Sequence, residues 1–182
     1  PFIFYNQILN FFVLFMKTVC IQGLGFVGSA MATAVALAVD KSGNPTFNVI
    51  GVDLPNNVGQ HRVDSINKGI FPFNSTDKNL LSSIERVFKQ GNLKATIDDS
   101  VYSKADIVVV DIQLDIPYLD DKPQLKFDGF KTAIRAIGGQ VRPETLVLIE
   151  TTVPPGTCEK IVIPTLQAEL KKRRIDIDSV HI

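Results

Sequence analysis

The chain has 182 residues, enough for one domain with a sizeable core. Its 19 Lys and Arg residues balance 19 Asp and Glu, so no sequence-wide positive field exists to hold nucleic acid or an anionic membrane by charge. That balance points to a small ligand held by specific contacts, and the two cysteines, Cys20 and Cys158, have neither metal-ligand nor redox spacing, which fits a reduced cytoplasmic setting.

The first stretch, "PFIFYNQILNFFVLFM", is uncharged and rich in Phe. A spanning helix needs about 20 mostly apolar residues, and Asn6, Gln7 and Asn10 interrupt this one. A signal peptide would carry a basic start and a small-residue cleavage site, and neither is present. Because Met16-Lys17 directly precedes the first strand, residues 1–15 read as an apolar extension upstream of the natural start, in preference to a partner-contacting helix or a membrane or export role.

From Lys17 strands and helices alternate. "KTVCIQ" reads as the first strand, "VGSAMATAVALAV" as a helix ended by the Gly- and Pro-containing "DKSGNPT", and "FNVIGVD" as the second strand. Two helical stretches follow, around "GQHRVDSINKG" and "DKNLLSSIERVFKQG", the second with Ser75 or Thr76 as its expected cap. "LKATI" is short and less apolar, as suits a strand near the sheet edge, and "DSVYSKA" reads as a brief helix. "DIVVVDI" is a continuous β-branched run of the kind buried on both faces of a parallel sheet. "QLDIPYLDDKPQL" is too broken for a regular element and reads as a functional loop. "DGFKTAIRAIGGQV" forms a helix, "TLVLIET" a fifth strand, "GTCEKIVIPTLQAELKKRR" a long helix and "DIDSVHI" a sixth strand. The expected fold is α/β: a Rossmann-like doubly wound parallel sheet of about six strands with helices on both faces, binding ligands at the carboxyl ends of the strands.

Gly23, Gly25 and Gly28 form G-x-G-x-x-G between the first strand and the first helix. Gly23 permits the tight turn, Gly25 lets backbone approach a pyrophosphate, and Gly28 allows close helix-to-strand packing. Free N–H groups and the positive dipole end of the helix face the phosphates. Asp53 ends the second strand, where an acid bonds the adenine ribose hydroxyls, a reading preferred to an acid merely solvated at a strand end; a carboxylate there favours NAD over NADP by repelling a 2′-phosphate. Arg62 reads as a surface residue in preference to a phosphate contact. After the fifth strand, "ETTVPPGTCEKIVIP" sets Thr151 and Thr152 at a strand end, fixes a turn with Pro-Pro-Gly and opens a helix at Thr157, the expected cap. Thr151 and Thr152 read as site residues ahead of turn-stabilising ones.

With "GLGFVGSAMA", "VIGVD", "INKGIFPF" and above all "TTVPPGTCEKIVIPTL", residues 16–182 resemble the NAD-binding domain of the nucleotide-sugar 6-dehydrogenases, the UDP-glucose, GDP-mannose and UDP-N-acetylmannosamine dehydrogenase family. The resemblance implies oxidation of a sugar C6 alcohol to the carboxylate with two NAD, through an enzyme-bound aldehyde and a cysteine thioester. It implies that Gly23, Leu24, Gly25, Phe26, Val27, Gly28, Asp53, Gln113, Thr151 and Thr152 line the NAD site, with Thr152 beside the nicotinamide and an active-site water as the one catalytic candidate. Where the family has a V-P-T-P-like turn after the fourth strand this chain has "DIQLDI", so Gln113 or backbone replaces a threonine contact, and "LPNNVGQ" lacks the basic residue often found after the ribose-binding acid.

In that family a catalytic Glu, a central dimer-forming helix and a domain with the nucleophilic Cys, a Lys and an Asn follow the sixth strand. The chain is therefore expected to be a fragment that binds cofactor without turnover, from a cytoplasmic homodimer acting on a nucleotide sugar. Cys20, buried in a strand, and Cys158, at a helix start, are poor thiolate candidates; His61 and His181 fall on a surface helix and in a strand. The rival readings are a hydroxyacid-type Rossmann dehydrogenase, against which "TTVPPGT" argues, and a free-standing nucleotide-binding regulatory module.

Overall fold

The computed structural model describes residues 16–114, 118–119, 122–123 and 126–182. The expected extension over residues 1–15 lies outside them. β1 (Lys17–Gln22), α1 (Phe26–Ala36), β2 (Phe47–Val52), α2 (Asn57–Ile66), α3 (Lys78–Gln90) and β3 (Leu93–Thr96) follow one another, and a 3₁₀ turn at Asp99–Lys104 leads to β4 (Ile107–Val110). After the two-residue antiparallel pair β5 (Tyr118–Leu119) and β6 (Lys122–Pro123) come α4 (Asp128–Gln140) and β7 (Leu146–Ile149). A π-helical turn at Cys158–Val162 runs into α5 (Ile163–Lys172).

Five strands lie parallel in the order β3-β2-β1-β4-β7. The chain steps outward from β1 to β2 to β3, then returns to lay β4 on the other side of β1. The winding direction therefore reverses between β1 and β4, which opens a crevice at their carboxyl ends. The short, half-polar "LKATI" does lie at the edge, as β3.

Strand residues alternate between two cores, because successive side chains point to opposite faces. From β1, Val19 and Ile21 join Val109 of β4 beneath α1, α2 and α3, in a core that includes Ala32, Val63 and Ile84. Cys20 joins Val108 and Val110 on the opposite face, against Ile134, Ile137, Leu166 and Leu170 of α4 and α5. Beneath the second face the Tyr102 hydroxyl donates to the side-chain carbonyl of Gln22, which satisfies two polar groups that burial would otherwise strand. Among the described residues no helix is long and apolar enough to cross a membrane.

Three local expectations change. The cap of α3 is Asp77, whose carboxylate accepts from the backbone N–H groups of Asn79 and Leu80, while Ser75 Oγ accepts from Asp77 N. "DIDSVHI" is a 3₁₀ turn at Ile177–Ser179 with one parallel bridge between His181 and Leu146. The Asp176 carboxylate accepts from Asp178 N and bends the chain before it can extend as a sixth strand. Within "QLDIPYLDDKPQL" the β5–β6 pair is regular, and the remainder of that loop beyond Leu114 lies outside the described residues.

Candidate functional site

β1 passes into α1 through three residues, a turn that needs Gly23 at φ +96°, where an added Cβ would stand 2.1 Å from the Asp111 carbonyl oxygen. The loop then folds back on the first helical turn, so that a Cβ at Gly28 would meet the Gly23 carbonyl oxygen at 1.9 Å. Gly25 caps α1 with no side-chain hydrogen bond, and among the described residues nothing beyond its chain neighbours lies within 4 Å of where its Cβ would project. The uncapped first turn of α1 thus has space before it, a cradle that fits the backbone-bonded pyrophosphate of a dinucleotide. The Leu24 side chain is buried in the core against Gly51, so Leu24 can offer a ligand only backbone. Phe26 and Val27 are exposed.

Asp53, one residue past β2, is 6% exposed and so is not a solvated strand end. Its Oδ1 accepts from Leu54 N at 2.7 Å and its Oδ2 from Leu24 N at 3.3 Å, which ties the end of β2 to the glycine loop. Arg62 of α2 donates from Nη1 to Oδ2 at 3.1 Å, and its guanidinium lies 5.3 Å from the centre of the Phe73 ring. The surface reading of Arg62 is thereby corrected. α2 starts at the Asn56 cap, which accepts from Gly59 N, and the helical rise carries the next turns of α2 back alongside the strand end. Phe26, Phe71 and Phe73 meet with ring centres 5.2 to 5.9 Å apart, joining "GLGF" to "IFPF". Sequence spacing gave no signal for either contact.

The opposite wall is made by the ends of β4 and β7. A cavity of about 510 Å³ is lined by Gly25, Phe26, Val27, Asp111, Ile112, Gln113, Leu114, Glu150, Thr151 and Thr152. Seven of the expected site positions, Gly25, Phe26, Val27, Gln113, Thr151 and Thr152 at this cavity and Asp53 beyond the loop, thus surround the cradle, while Gly23, Leu24 and Gly28 shape it from beneath. The two threonines divide. Thr151 is buried, and its hydroxyl accepts from Ile112 N at 2.9 Å and donates to Val110 O at 3.2 Å, clamping the ends of β4 and β7 together. Thr152 is exposed to the cavity.

Asp111 and Glu150 add acidic groups that sequence reading missed. Asp111 Oδ2 is buried, accepts no hydrogen bond among the described residues and would lie 3.2 Å from a Cβ at Gly28. Burial raises the Asp111 carboxyl above its ordinary value, and Glu150 adds to the shift. Neither cysteine lines the cavity. Burial pushes the Cys20 thiol up to about 12, which leaves it inert at neutral pH. Thr157 does not cap: its hydroxyl donates to Pro154 O at 2.7 Å, stabilising the Pro-Pro-Gly turn, and its backbone is already helical.

Residues 17–182 match the NAD binding domain of the UDP-glucose/GDP-mannose dehydrogenase family. The chain is 30% identical over 145 residues to a UDP-N-acetyl-D-mannosamine dehydrogenase of Methanocaldococcus jannaschii, covering 80% of this chain and 30% of that protein. It is 32% identical over 146 residues to an NDP-N-acetyl-D-galactosaminuronic acid dehydrogenase of Ralstonia nicotianae, covering 80% and 30%. The crystal structure of NDP-N-acetyl-D-galactosaminuronic acid dehydrogenase from Methanosarcina mazei Go1 superposes with a TM-score of 0.75 at 28% identity, over 85% of this chain and 31% of that one. The chain therefore spans about 30% of the length of these curated relatives. A match running from the first residue of β1 to Ile182 takes in every described strand of the parallel sheet: the chain belongs to the UDP-glucose/GDP-mannose dehydrogenase family, within its NAD-binding domain.

Proposed function

We propose that the domain holds NAD across the ends of β1, β2 and β4, with the pyrophosphate on the first turn of α1, the adenine ribose at Asp53, and the nicotinamide in the cavity beside Gln113, Thr151 and Thr152. The observation that carries this reading is the joint between Asp53 and the loop. One buried carboxylate accepts from Leu24 N, so the acid at the β2 end and the open cradle at Gly25 form one rigid surface. Gly23, Gly25 and Gly28 contribute shape, and Phe26 and Val27 supply exposed apolar surface beside it.

We propose further that the protein oxidises the C6 alcohol of a nucleotide sugar to the carboxylate. NAD, when bound, supplies the hydride acceptor; going from alcohol to carboxylate removes four electrons and each NAD takes two, so two are consumed. The relatives named as UDP-N-acetyl-D-mannosamine and NDP-N-acetyl-D-galactosaminuronic acid dehydrogenases support a nucleotide-sugar substrate. Thr152, exposed at the mouth of the cavity, presents Oγ1 to a water or substrate hydroxyl, while Thr151 fixes the strand ends on which it stands. The described residues place no thiolate at the cavity, so this domain takes the cofactor-holding share of the reaction.

Calorimetric titration of the purified protein with NAD tests the site. Asp53→Ala is expected to weaken binding by about tenfold or more, the scale of losing charge-assisted hydrogen bonds. Unchanged affinity would sink the ribose assignment.

A further inference from the structure

Asp111 opens "DIQLDI", the stretch in which this chain departs from the family's turn after β4. Its backbone is held firmly: Asp111 N donates to Gln22 O at 2.8 Å, and the Gly23 turn packs on the Asp111 carbonyl. Val109 lies in the core beneath α1 and Val110 in the opposite one, so the next side chain in the alternation points to the α1 face. There Oδ2 would stand 3.2 Å from a Cβ at Gly28, against the first turn of α1.

Oδ2 is buried and has no hydrogen-bond partner among the described residues, while Asp111 also lines the cavity of about 510 Å³. A buried oxygen without a partner is costly, most of all when charged. The groups around it offer no counterion. Glu150, one residue past β7, lines the same cavity and acts on Asp111 as a like charge. Gly23 to Ser29, the loop and first turn of α1, carry no ionisable side chain, and Thr151 and Thr152 are neutral. Asp53, at the end of β2, is tied to Leu24 N and paired with Arg62. No Lys, Arg or His lines the cavity among the described residues. A dinucleotide pyrophosphate on the first turn of α1 adds negative charge to these surroundings. An ionised carboxyl can only accept hydrogen bonds, whereas a protonated one also donates.

We propose that Asp111 is the proton-carrying residue of the cofactor cradle: it binds the dinucleotide in its protonated form, donating from Oδ2 directly or through one water, and its carboxylate takes up one proton from solvent as the dinucleotide enters. The proposal rests on the reading that the pyrophosphate occupies the first turn of α1. Burial already favours the protonated carboxyl in the free protein, and Glu150 adds to this. The bound form then holds the proton more tightly than the free form. Affinity therefore falls as pH rises through the free protein's value, by at most about tenfold per pH unit for one proton, and levels off above the bound one. The simpler role, an acid that only shapes the loop, predicts no proton uptake.

The test is calorimetry of NAD binding to the purified protein at a series of pH values from the ordinary carboxylate range upward, each in buffers of unlike ionisation enthalpy, for the parent sequence and Asp111→Asn. In the parent, the buffers should report uptake of up to about one proton per NAD where the affinity is falling, with a total fall of about tenfold or more. Asp111→Asn keeps a donor of similar shape with no proton to lose. It should abolish the uptake, flatten the profile and bind NAD more tightly than the parent at the upper end of the series. If Asp111→Asn is unfolded by circular dichroism, Asp111→Ser carries the same comparison. NAD binding by the parent without proton uptake, or a variant that keeps the parent's uptake and slope, would overturn the proposal while leaving the NAD site intact. No NAD binding by the parent at any pH would overturn the cofactor reading and this proposal with it.

Discussion

Asp111 stands at the point where the glycine loop, β4 and the cavity meet, with one carboxyl oxygen buried and unbonded among the described residues. Its carboxyl is raised above the ordinary value, first by burial and then by Glu150. The native state therefore holds this proton more tightly than the unfolded chain does. As pH rises from the ordinary carboxylate range through the raised folded-state value, the native form binds more protons than the unfolded form and stability falls; above that value the loss is complete. Asp111→Asn is accordingly expected to be more stable than the parent at pH 7, by less than about 1 kcal/mol because solvent screens a half-buried group, and the difference should vanish in acid. Urea unfolding at several pH values measures it, and a variant less stable at neutral pH would contradict the argument. Nothing local in "VVVDIQ" marks this carboxyl as unsatisfied, since its surroundings come from a loop far back in the chain. The glycines were legible for the opposite reason, because their spacing already encodes the turn they make.

Element boundaries follow whichever short polar side chain can reach a free backbone N–H. For α3 that residue is Asp77 instead of Ser75 or Thr76, and the helix closes at Gly91 in the left-handed conformation. Asp77→Ala is expected to cost about 1 kcal/mol, the usual loss of an N-cap, read as a lower urea midpoint with an unchanged slope. No measurable change would mean that neighbouring Ser75 takes over the cap. Thr157 has the right residue type for a cap and is not one, because the preceding prolines turn its hydroxyl toward the Pro154 carbonyl. Asp176 acts in the reverse sense, capping a 3₁₀ turn where apolar alternation alone suggested a strand. Periodicity identifies an element's type, whereas the competition among neighbouring polar groups sets its ends.

At the level of the molecule, two cores on opposite faces share one sheet, and the cavity beside the glycine loop sits at the strand ends between them. Leu166 of α5 is fully buried in the second core and does not line the cavity. Leu166→Ala should cost about 2–5 kcal/mol in stability while the folded protein keeps its NAD affinity within about threefold. A large loss of affinity would show that the second core also sets the geometry of the first helical turn of α1. The alternation of strands and helices, the parallel sheet, the glycine turn, the acid at the end of β2 and the family were legible in the chain, because each is encoded in spacing and composition over a few neighbouring residues. It took the fold to show that Arg62 pairs with Asp53, that Thr151 clamps two strands while Thr152 faces the cavity, and that Asp111 Oδ2 is buried without a hydrogen bond among the described residues. Those relations join elements distant in the chain, and which side chains meet there depends on strand order and helix placement that no local pattern specifies.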